Sequence, residues 1–174
     1  IEAGAGNDTV LVADGRDTVI GSDGEDLVGV FAGSPSIVGG AGKDVIVIGS
    51  GACTVDGGDG DDLIGVFDGT HSLAAGAGSD VVLLAGGSST VDGGDGADII
   101  AVFGGNGHRL LGGAGDDVFY GGGTNITLEG GGGTDVFVSG PGAETFAYHS
   151  GFGPADYIHG FASGSDRLAL AANI

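Results

Sequence analysis

Eight aspartates recur along the chain at nearly constant spacing, and each one follows a glycine-rich stretch and precedes apolar residues. The interval is 18 residues, with a single interval of 19, and the residues are Asp8, Asp26, Asp44, Asp62, Asp80, Asp98, Asp117 and Asp135. Residues 57–64, GGDGDDLI, show the context. Carboxylates and backbone carbonyls are hard oxygen donors that suit Ca²⁺, which takes 6–8 ligands. If the repeats stack, these residues form an Asp ladder with room for cations between its rungs.

The elements that must position the Asp ladder are short strands in units of nine residues. From Ala3 onward, nearly every unit has Gly at its fourth position and a large apolar residue at its eighth, as in GGDGDDLIG. Periodic glycine indicates backbone with positive φ or close approach, and the short apolar tail of each unit predicts a strand. The sequence lacks the 3.6-residue period of a helix.

Two units make one coil of 18 residues, so the chain is predicted to be an all-β parallel β-roll solenoid with two parallel sheets. The eighth-position residues should fill a thin core between the sheets. The aspartates fall on one edge, and the equivalent positions on the opposite edge are Asp17, Pro35, Cys53, His71, Ser89, Gly107, Ile126 and Glu144. Residues 1–147 are predicted to form the roll and 148–174 a capping segment over the last coil.

The strongly negative charge of the chain limits the kinds of molecule that it is expected to bind. The formal net charge is −20, with only 4 Lys and Arg residues against 24 Asp and Glu residues. Such a chain is not expected to bind nucleic acid or an anionic membrane. Eight rungs leave seven gaps, and up to seven Ca²⁺ ions would reduce the net charge to about −6 and relieve the repulsion. Folding is therefore expected to require metal. No apolar run reaches the ~18 residues of a membrane span, so insertion is not expected.

GGDGDDLIG and GGAGDDVFY resemble the RTX nonapeptide repeat of secreted bacterial proteins, G-G-x-G-x-D-x-apolar-x, and the resemblance covers residues 3–147. Residues 156–170, DYIHGFASGSDRLAL, are similar to the segment that closes such repeats in serralysin-type proteases and related exoproteins. The resemblance implies a right-handed β-roll with Ca²⁺ between stacked turns, type I secretion and folding outside the cell. It also implies a ligand at the sixth-position Asp of each matching unit.

Carbonyl ligands from the first four turn positions are implied in the same way. The carbonyl candidates are Gly24, Gly39, Gly40, Ala41, Gly42, Gly57, Gly58, Asp59, Gly60, Ala75, Gly76, Ala77, Gly78, Gly93, Gly94, Asp95, Gly96, Gly112, Gly113 and Gly115. The opposite edge departs from the repeat pattern, so sites are expected there only as a partial one near Asp17. Cys53 is expected to be a small buried residue, and the histidines to lie at the surface or in turns.

The outward faces of the two sheets differ in character. On the strands that follow the Asp ladder, the seventh position is apolar, as at Leu27, Leu63 and Ile99, and Phe31, Phe67 and Phe103 could extend that face. An apolar outer face predicts self-association or packing on a neighbouring domain. The other sheet carries an outward row of Thr and Ser, interrupted by His108, which is weak support for ice binding.

No Ser–His–Asp set or isolated carboxylate pair stands out, so the chain is not expected to be an enzyme. The preferred hypothesis is a calcium-binding structural module of a secreted or cell-surface bacterial protein. The alternatives are a noncatalytic C-terminal domain of an extracellular hydrolase or toxin, and an adhesin, ice-binding or S-layer element. Because the chain begins at Ile1, just before a repeat, we expect it to be a fragment of a longer protein.

Overall fold

The computed structural model describes residues 1–148 and 155–170. All regular elements in these residues are strands, numbered β1 to β19, and no helix there could cross a membrane. The odd-numbered strands form a 10-stranded sheet and the even-numbered strands a 9-stranded sheet. We call these sheet A and sheet B. The prediction of an all-β solenoid with two parallel sheets and about 18 residues per coil is confirmed.

Sheet A contains longer strands that run into the glycine-rich turns. They are β1 (Glu2–Ala5), β3 (Thr18–Asp23), β5 (Ser36–Ala41), β7 (Thr54–Asp59), β9 (Ser72–Ala77), β11 (Thr90–Asp95), β13 (Arg109–Ala114), β15 (Ile126–Gly132), β17 (Glu144–Tyr148) and β19 (Arg167–Leu170). Sheet B contains β2 (Thr9–Val12), β4 (Leu27–Val30), β6 (Val45–Ile48), β8 (Leu63–Val66), β10 (Val81–Leu84), β12 (Ile99–Val102), β14 (Val118–Gly121), β16 (Val136–Val138) and β18 (Tyr157–His159).

All strand pairs are parallel, and the register keeps equivalent repeat positions side by side. In sheet B, Val82 pairs with Ile64 on one side and Ile100 on the other. Because successive strands lie ~4.8 Å apart, each residue type forms a column along the rod. Residues 18 positions apart in the sequence therefore lie side by side in neighbouring strands, so that each repeat position forms a column of similar side chains.

The core is a thin layer between the sheets, as expected. The eighth-position residues from Val19 to Phe146 are buried, and Phe119, Phe137 and Phe146 pack on one another near the C-terminal end. A second buried column was missed by the sequence reasoning, and it comprises Val12, Val30, Ile48, Val66, Leu84 and Val102. Each is the first residue of a nine-residue unit that contributes no aspartate to the Asp ladder, and together they fill the core next to the opposite edge.

The interval of 19 residues arises in the turn before β13. Arg109 pairs with Thr90 and Thr127, so the extra residue lies before His108, and His108 stands beside Ser89. The assignment of Gly107 to the sixth position was therefore wrong. The expected interruption of the Thr row by His108 was also wrong, because the insertion shifts Arg109 into that row.

The described part of the tail adds one strand to each sheet. Strand β18 pairs with β16, and β19 pairs with β17. Leu168 and Leu170 of β19 are more than half exposed. The predicted boundary at 147/148 stays a prediction, and part of the predicted capping segment, residues 149–154 and 171–174, lies outside the described residues.

Candidate metal centre

The aspartates of the Asp ladder stand in one hydrogen-bonded column on one edge of the roll. The backbone amide of Asp44 donates to Oδ1 of Asp62 at 2.8 Å, and the amide of Asp62 donates to Oδ1 of Asp80 at 2.7 Å. The same bond joins every successive pair from Asp8 to Asp135, at 2.7 to 3.0 Å. The structure thus brings together all eight aspartates that the sequence singled out.

Each aspartate is turned inward by a tight turn between the two sheets. Between β7 and β8 the turn consists of residues 60–62, and Gly60 has a φ of +130°, which a residue with a side chain rarely adopts. The reversal directs Asp62 into the roll, where it is only 2% exposed. A carboxylate in such a place needs partners for both of its oxygens.

One oxygen of each carboxylate has no partner. The Oδ2 atoms of all eight aspartates from Asp8 to Asp135 are buried and accept no hydrogen bond. Leaving a buried polar atom unsatisfied costs about 1–3 kcal/mol, and more when the group is charged. A column of eight such atoms marks the inner side of the Asp ladder as a place for cations.

A carbonyl oxygen from the next coil faces the same space. A Cβ atom added to Gly57 would lie 2.5 Å from Oδ2 of Asp62 and would overlap the carbonyl oxygen of Ala75. The same paired approach of a carboxylate oxygen and a carbonyl oxygen recurs in other coils, at Gly21, Gly39, Gly93 and Gly112. Two oxygens crowd the first turn position in these coils, where the residue is glycine, although Ala75 occupies the same position in another coil. The crowded oxygens are metal ligands by type.

Burial and mutual repulsion disturb the ionisation of these carboxyls. Burial raises the pKa of Asp62 to about 7, the hydrogen bond from Asp44 only partly offsets it, and the negative charges of Asp44 and Asp80 raise it further. Burial likewise raises the pKa of Asp117 to about 7 and that of Asp98 to about 6. The charged Asp ladder is therefore unfavourable unless cations lie within it.

The residues fit calcium better than the other common protein metals. Among residues 1–148 and 155–170, no three His, Cys, Asp or Glu side chains converge so that they could hold one metal ion, so backbone carbonyls would have to supply most ligands of an ion in the Asp ladder. Zn²⁺ favours Cys and His, whereas every position of the Asp ladder is an aspartate. Mg²⁺ usually keeps several waters, whereas Ca²⁺ accepts many carbonyl and carboxylate oxygens in irregular geometry. The Asp ladder would hold the ions, which would neutralise its charge and join successive coils.

The predicted carbonyl ligands differ in how they are used within the fold. At the third turn position, the carbonyls of Ala41 and Asp59 accept hydrogen bonds at 2.7–2.8 Å from Gly24 and Gly42 of the preceding coil. The carbonyls of Ala77 and Asp95 are used in the same way. At the second position a Cβ on Gly58, whose φ is +112°, would overlap the carbonyl oxygen of Gly40. The side chains of Asp59 and Asp95 are exposed.

The opposite edge replaces carboxylates with imidazoles in two coils. Nδ1 of His71 accepts a hydrogen bond from the amide of Cys53 at 3.1 Å, as Oδ1 does in the Asp ladder, and Nε2 lies 2.8 Å from the carbonyl oxygen of Asp68. Since Nδ1 accepts, Nε2 carries the proton and donates. His108 makes the same contacts with Ser89 and Gly104. These histidines were expected at the surface or in turns, and both lie in turns, where they are at most 3% exposed.

Cys53 and Asp17 are the other residues of this edge for which the sequence made a prediction. Cys53 is buried, as expected, and its thiol pKa is raised by burial. Asp17 is exposed and lies beside Gly15, so a partial site there stays a prediction.

Two acidic residues in the tail were missed by the sequence reasoning. Asp156 extends the Asp ladder, because its Oδ1 accepts the amide of Asp135 at 2.9 Å. Asp166 occupies the corresponding place on the opposite edge, where its Oδ1 lies 3.3 Å from the amide of Glu144. Their sequence separations are 21 and 22 residues, so a search at 18 passes over them. With Asp156 the column has eight gaps between rungs.

The fold and this column define a parallel β-solenoid with one edge lined by oxygen donors that suit calcium. The model of the family described as the RTX calcium-binding nonapeptide repeat matches residues 1–28, 36–52, 103–137 and 111–146 in four copies, together just over half of the chain. The chain belongs to this family, whose repeats bind Ca²⁺ and typically occur in secreted bacterial proteins. No curated protein matches the chain. The β-roll of these repeats is a structural module without catalytic function, although a longer protein can carry its own activity.

Proposed function

We propose that the chain is a calcium-dependent folding module that becomes ordered outside the cell and stiffens the protein that contains it. The observation that carries this proposal is the column of eight buried Oδ2 atoms without a partner. In the absence of cations, these carboxylates repel one another across each ~4.8 Å step. Calcium between the rungs would turn this repulsion into attraction between coils, which couples binding to folding.

Extracellular calcium is the ligand source that this chemistry suits. Cytosolic calcium is scarce, whereas extracellular modules work with dissociation constants of about 10⁻⁴–10⁻³ M. A chain with a formal net charge of −20 would stay unfolded where calcium is low and would fold where calcium is abundant. We infer that export precedes folding, in keeping with a secreted protein.

Circular dichroism in chelator and in millimolar CaCl₂ tests the proposal. The expected result is a largely disordered spectrum in chelator and a β-sheet spectrum with calcium, with MgCl₂ at the same concentration much less effective. A chain that shows the same β-sheet spectrum in chelator would contradict coupled folding. Asp56→Asn is a suitable control variant, because Asp56 is exposed on sheet A and its replacement removes one charge without touching either edge.

A second proposed function is self-association through the outer face of sheet B. Leu27, Leu63 and Ile99 are 38–42% exposed on this face. At the end of the same strands, Phe31, Phe67 and Phe103 are 62–68% exposed. The coils between them carry small residues at the equivalent position, namely Gly49, Ala85 and Gly122. The large and small residues alternate with a period of two coils, about 9.6 Å.

This alternation makes the row complementary to a second copy of itself. A second roll displaced by one coil would place its phenylalanine rings over the small residues of the first. In sedimentation with calcium we expect a concentration-dependent dimer that Phe67→Ser weakens and that Ala74→Ser, on the outer face of sheet A, leaves unchanged. A strict monomer at several hundred micromolar would contradict it, and the face would then be assigned to a neighbouring domain. The role as the noncatalytic tail of a hydrolase or toxin depends on the longer chain and is decided by its full sequence.

A further inference from the structure

Two carboxylates and a hydroxyl meet at the C-terminal end of the roll, on the edge opposite the Asp ladder. Glu144 begins β17 and is 1% exposed, and Asp166 immediately precedes β19 and is 7% exposed. Oγ of Ser139 lies 2.6 Å from Oε2 of Glu144 and 2.9 Å from Oδ2 of Asp166. We call these three residues the Glu144 cluster.

The hydrogen atoms available in the Glu144 cluster are too few for its oxygens. The Ser139 hydroxyl has one hydrogen to donate, yet it contacts two carboxylates. Asp166 is held as an acceptor by the amide of Ala162 at 2.7 Å and by the hydroxyl of Ser165 at 3.2 Å. With both carboxylates ionised, one short oxygen–oxygen contact contains no hydrogen. Either an additional proton or a cation must occupy the cluster.

A second observation favours the cation. Oε1 of Glu144 is buried and accepts no hydrogen bond. A Cβ atom added to Gly142 would lie 3.0 Å from this oxygen and would overlap the carbonyl oxygen of Gly123. The unpartnered carboxylate oxygen and a backbone carbonyl oxygen therefore face the same space, beside a glycine that has no side chain to fill it. A shared proton between Glu144 and Asp166 would leave Oε1 in this space without a partner.

We propose that the Glu144 cluster binds a divalent cation, held by Glu144 and Asp166 with the Ser139 hydroxyl and the Gly123 carbonyl. All four donors are hard oxygens, which favours Ca²⁺ over Zn²⁺, and the mixture of carbonyl, hydroxyl and carboxylate oxygens suits Ca²⁺ better than Mg²⁺. The site uses no residue of the Asp ladder. It would join β17 to the start of β19, so that a single ion fastens the last described strand of sheet A to the roll.

The rest of this edge explains why the site occurs once among the described coils. His71 and His108 each hydrogen-bond to a carbonyl oxygen of their own turn, and Cys53 is apolar in character. None of the three side chains contributes a carboxylate oxygen. Only the last coils combine two acidic residues on this edge, Glu144 and Asp166, in adjacent strands. The opposite edge thus changes from metal-independent histidine turns to a metal-dependent end.

Counting bound calcium by equilibrium dialysis tests this site. Glu144→Gln and Asp166→Asn are each expected to bind one ion fewer than the unchanged chain, and the double variant also one fewer. The control Asp56→Asn should bind the full number. Unchanged counts in both single variants, each folded by circular dichroism, would overturn the inference in favour of a shared proton.

A second measurement avoids any variant that fails to fold. Crystals of the unchanged chain grown with calcium should show an anomalous difference peak within about 2.6 Å of Oε1 of Glu144. No peak there, with ions present along the Asp ladder, overturns this site and leaves the proposed folding function intact. A peak there with none along the Asp ladder supports this site and contradicts the proposed function.

Discussion

Replacing Asp62 by asparagine should change stability in opposite directions with and without calcium. The asparagine side chain would keep an oxygen acceptor for the amide of Asp44, which donates at 2.8 Å. It would replace the unpartnered Oδ2 with an amide nitrogen that can donate to the nearby carbonyl of Ala75. The substitution therefore removes a buried charge and preserves the hydrogen-bonded column.

The magnitudes follow from the surroundings of Asp62. Its pKa is raised from 3.8 to about 7, and at about 1.4 kcal/mol per unit the ionised form costs the metal-free fold about 4 kcal/mol. Asp62→Asn should recover part of this, about 2–4 kcal/mol. With calcium at 100 times its dissociation constant each ion contributes about 2.7 kcal/mol, so loss of the ions above and below costs about 5 kcal/mol.

The assay is a pair of equilibrium transitions followed by circular dichroism at pH 7.5. In chelator, trimethylamine N-oxide drives folding, and the variant should fold at a lower concentration of this osmolyte than the unchanged chain. In millimolar calcium, the variant should unfold at lower urea and bind two ions fewer. The control Asp56→Asn should change little in either condition. A variant that is destabilised equally in both conditions, or that loses only one ion, would refute the shared-ligand reasoning.

Three further predictions concern pH, glycine crowding and the histidine turns. Burial raises the pKa values of Asp62, Asp98 and Asp117 to about 6–7. Protonation of these three carboxyls therefore stabilises the metal-free fold below about pH 4, and this contribution is lost as pH rises through 6–7; osmolyte-induced folding in chelator should thus be easier at pH 4.5 than at 7.5. Gly60→Ala should cost at least about 2 kcal/mol in urea unfolding with calcium, since Gly60 has a φ of +130° and its Cβ would overlap the Gly42 carbonyl, whereas Gly65→Ala meets nothing within 4 Å and should be near neutral; equal effects would contradict the crowding argument. His71→Leu leaves the Cys53 amide without an acceptor and should cost about 1–3 kcal/mol; a variant that alters the calcium count would show that the histidine turns themselves bind metal.

The repeat and the Asp ladder were predictable because both depend on local rules. Glycine at fixed positions specifies the turns, and an apolar eighth position specifies the strand that faces the core. Parallel pairing in register then places equal positions side by side, as Val82 does with Ile64 and Ile100. One spacing in the sequence thus determined the coil, the core and the column of carboxylates.

Most of the features that were missed depend on which residues the folded coils place side by side. Burial of His71 and His108 follows from their standing where Asp stands on the other edge, and the residue type alone gives no sign of this. Asp156 and Asp166 join the two edges through spacings of 21 and 22 residues without glycine-rich turns. The second core column from Val12 to Val102 could have been found, because its residues repeat with the same period as the Asp ladder.

An anomalous difference map from crystals grown with calcium tests the central claim most directly. We expect a straight column of peaks along the Asp-bearing edge, spaced by about one strand separation of 4.8 Å, with the Oδ2 atoms of successive aspartates such as Asp62 and Asp80 bound to them. A well-ordered roll whose Asp-bearing edge shows no such column would contradict the claim that calcium holds these coils together.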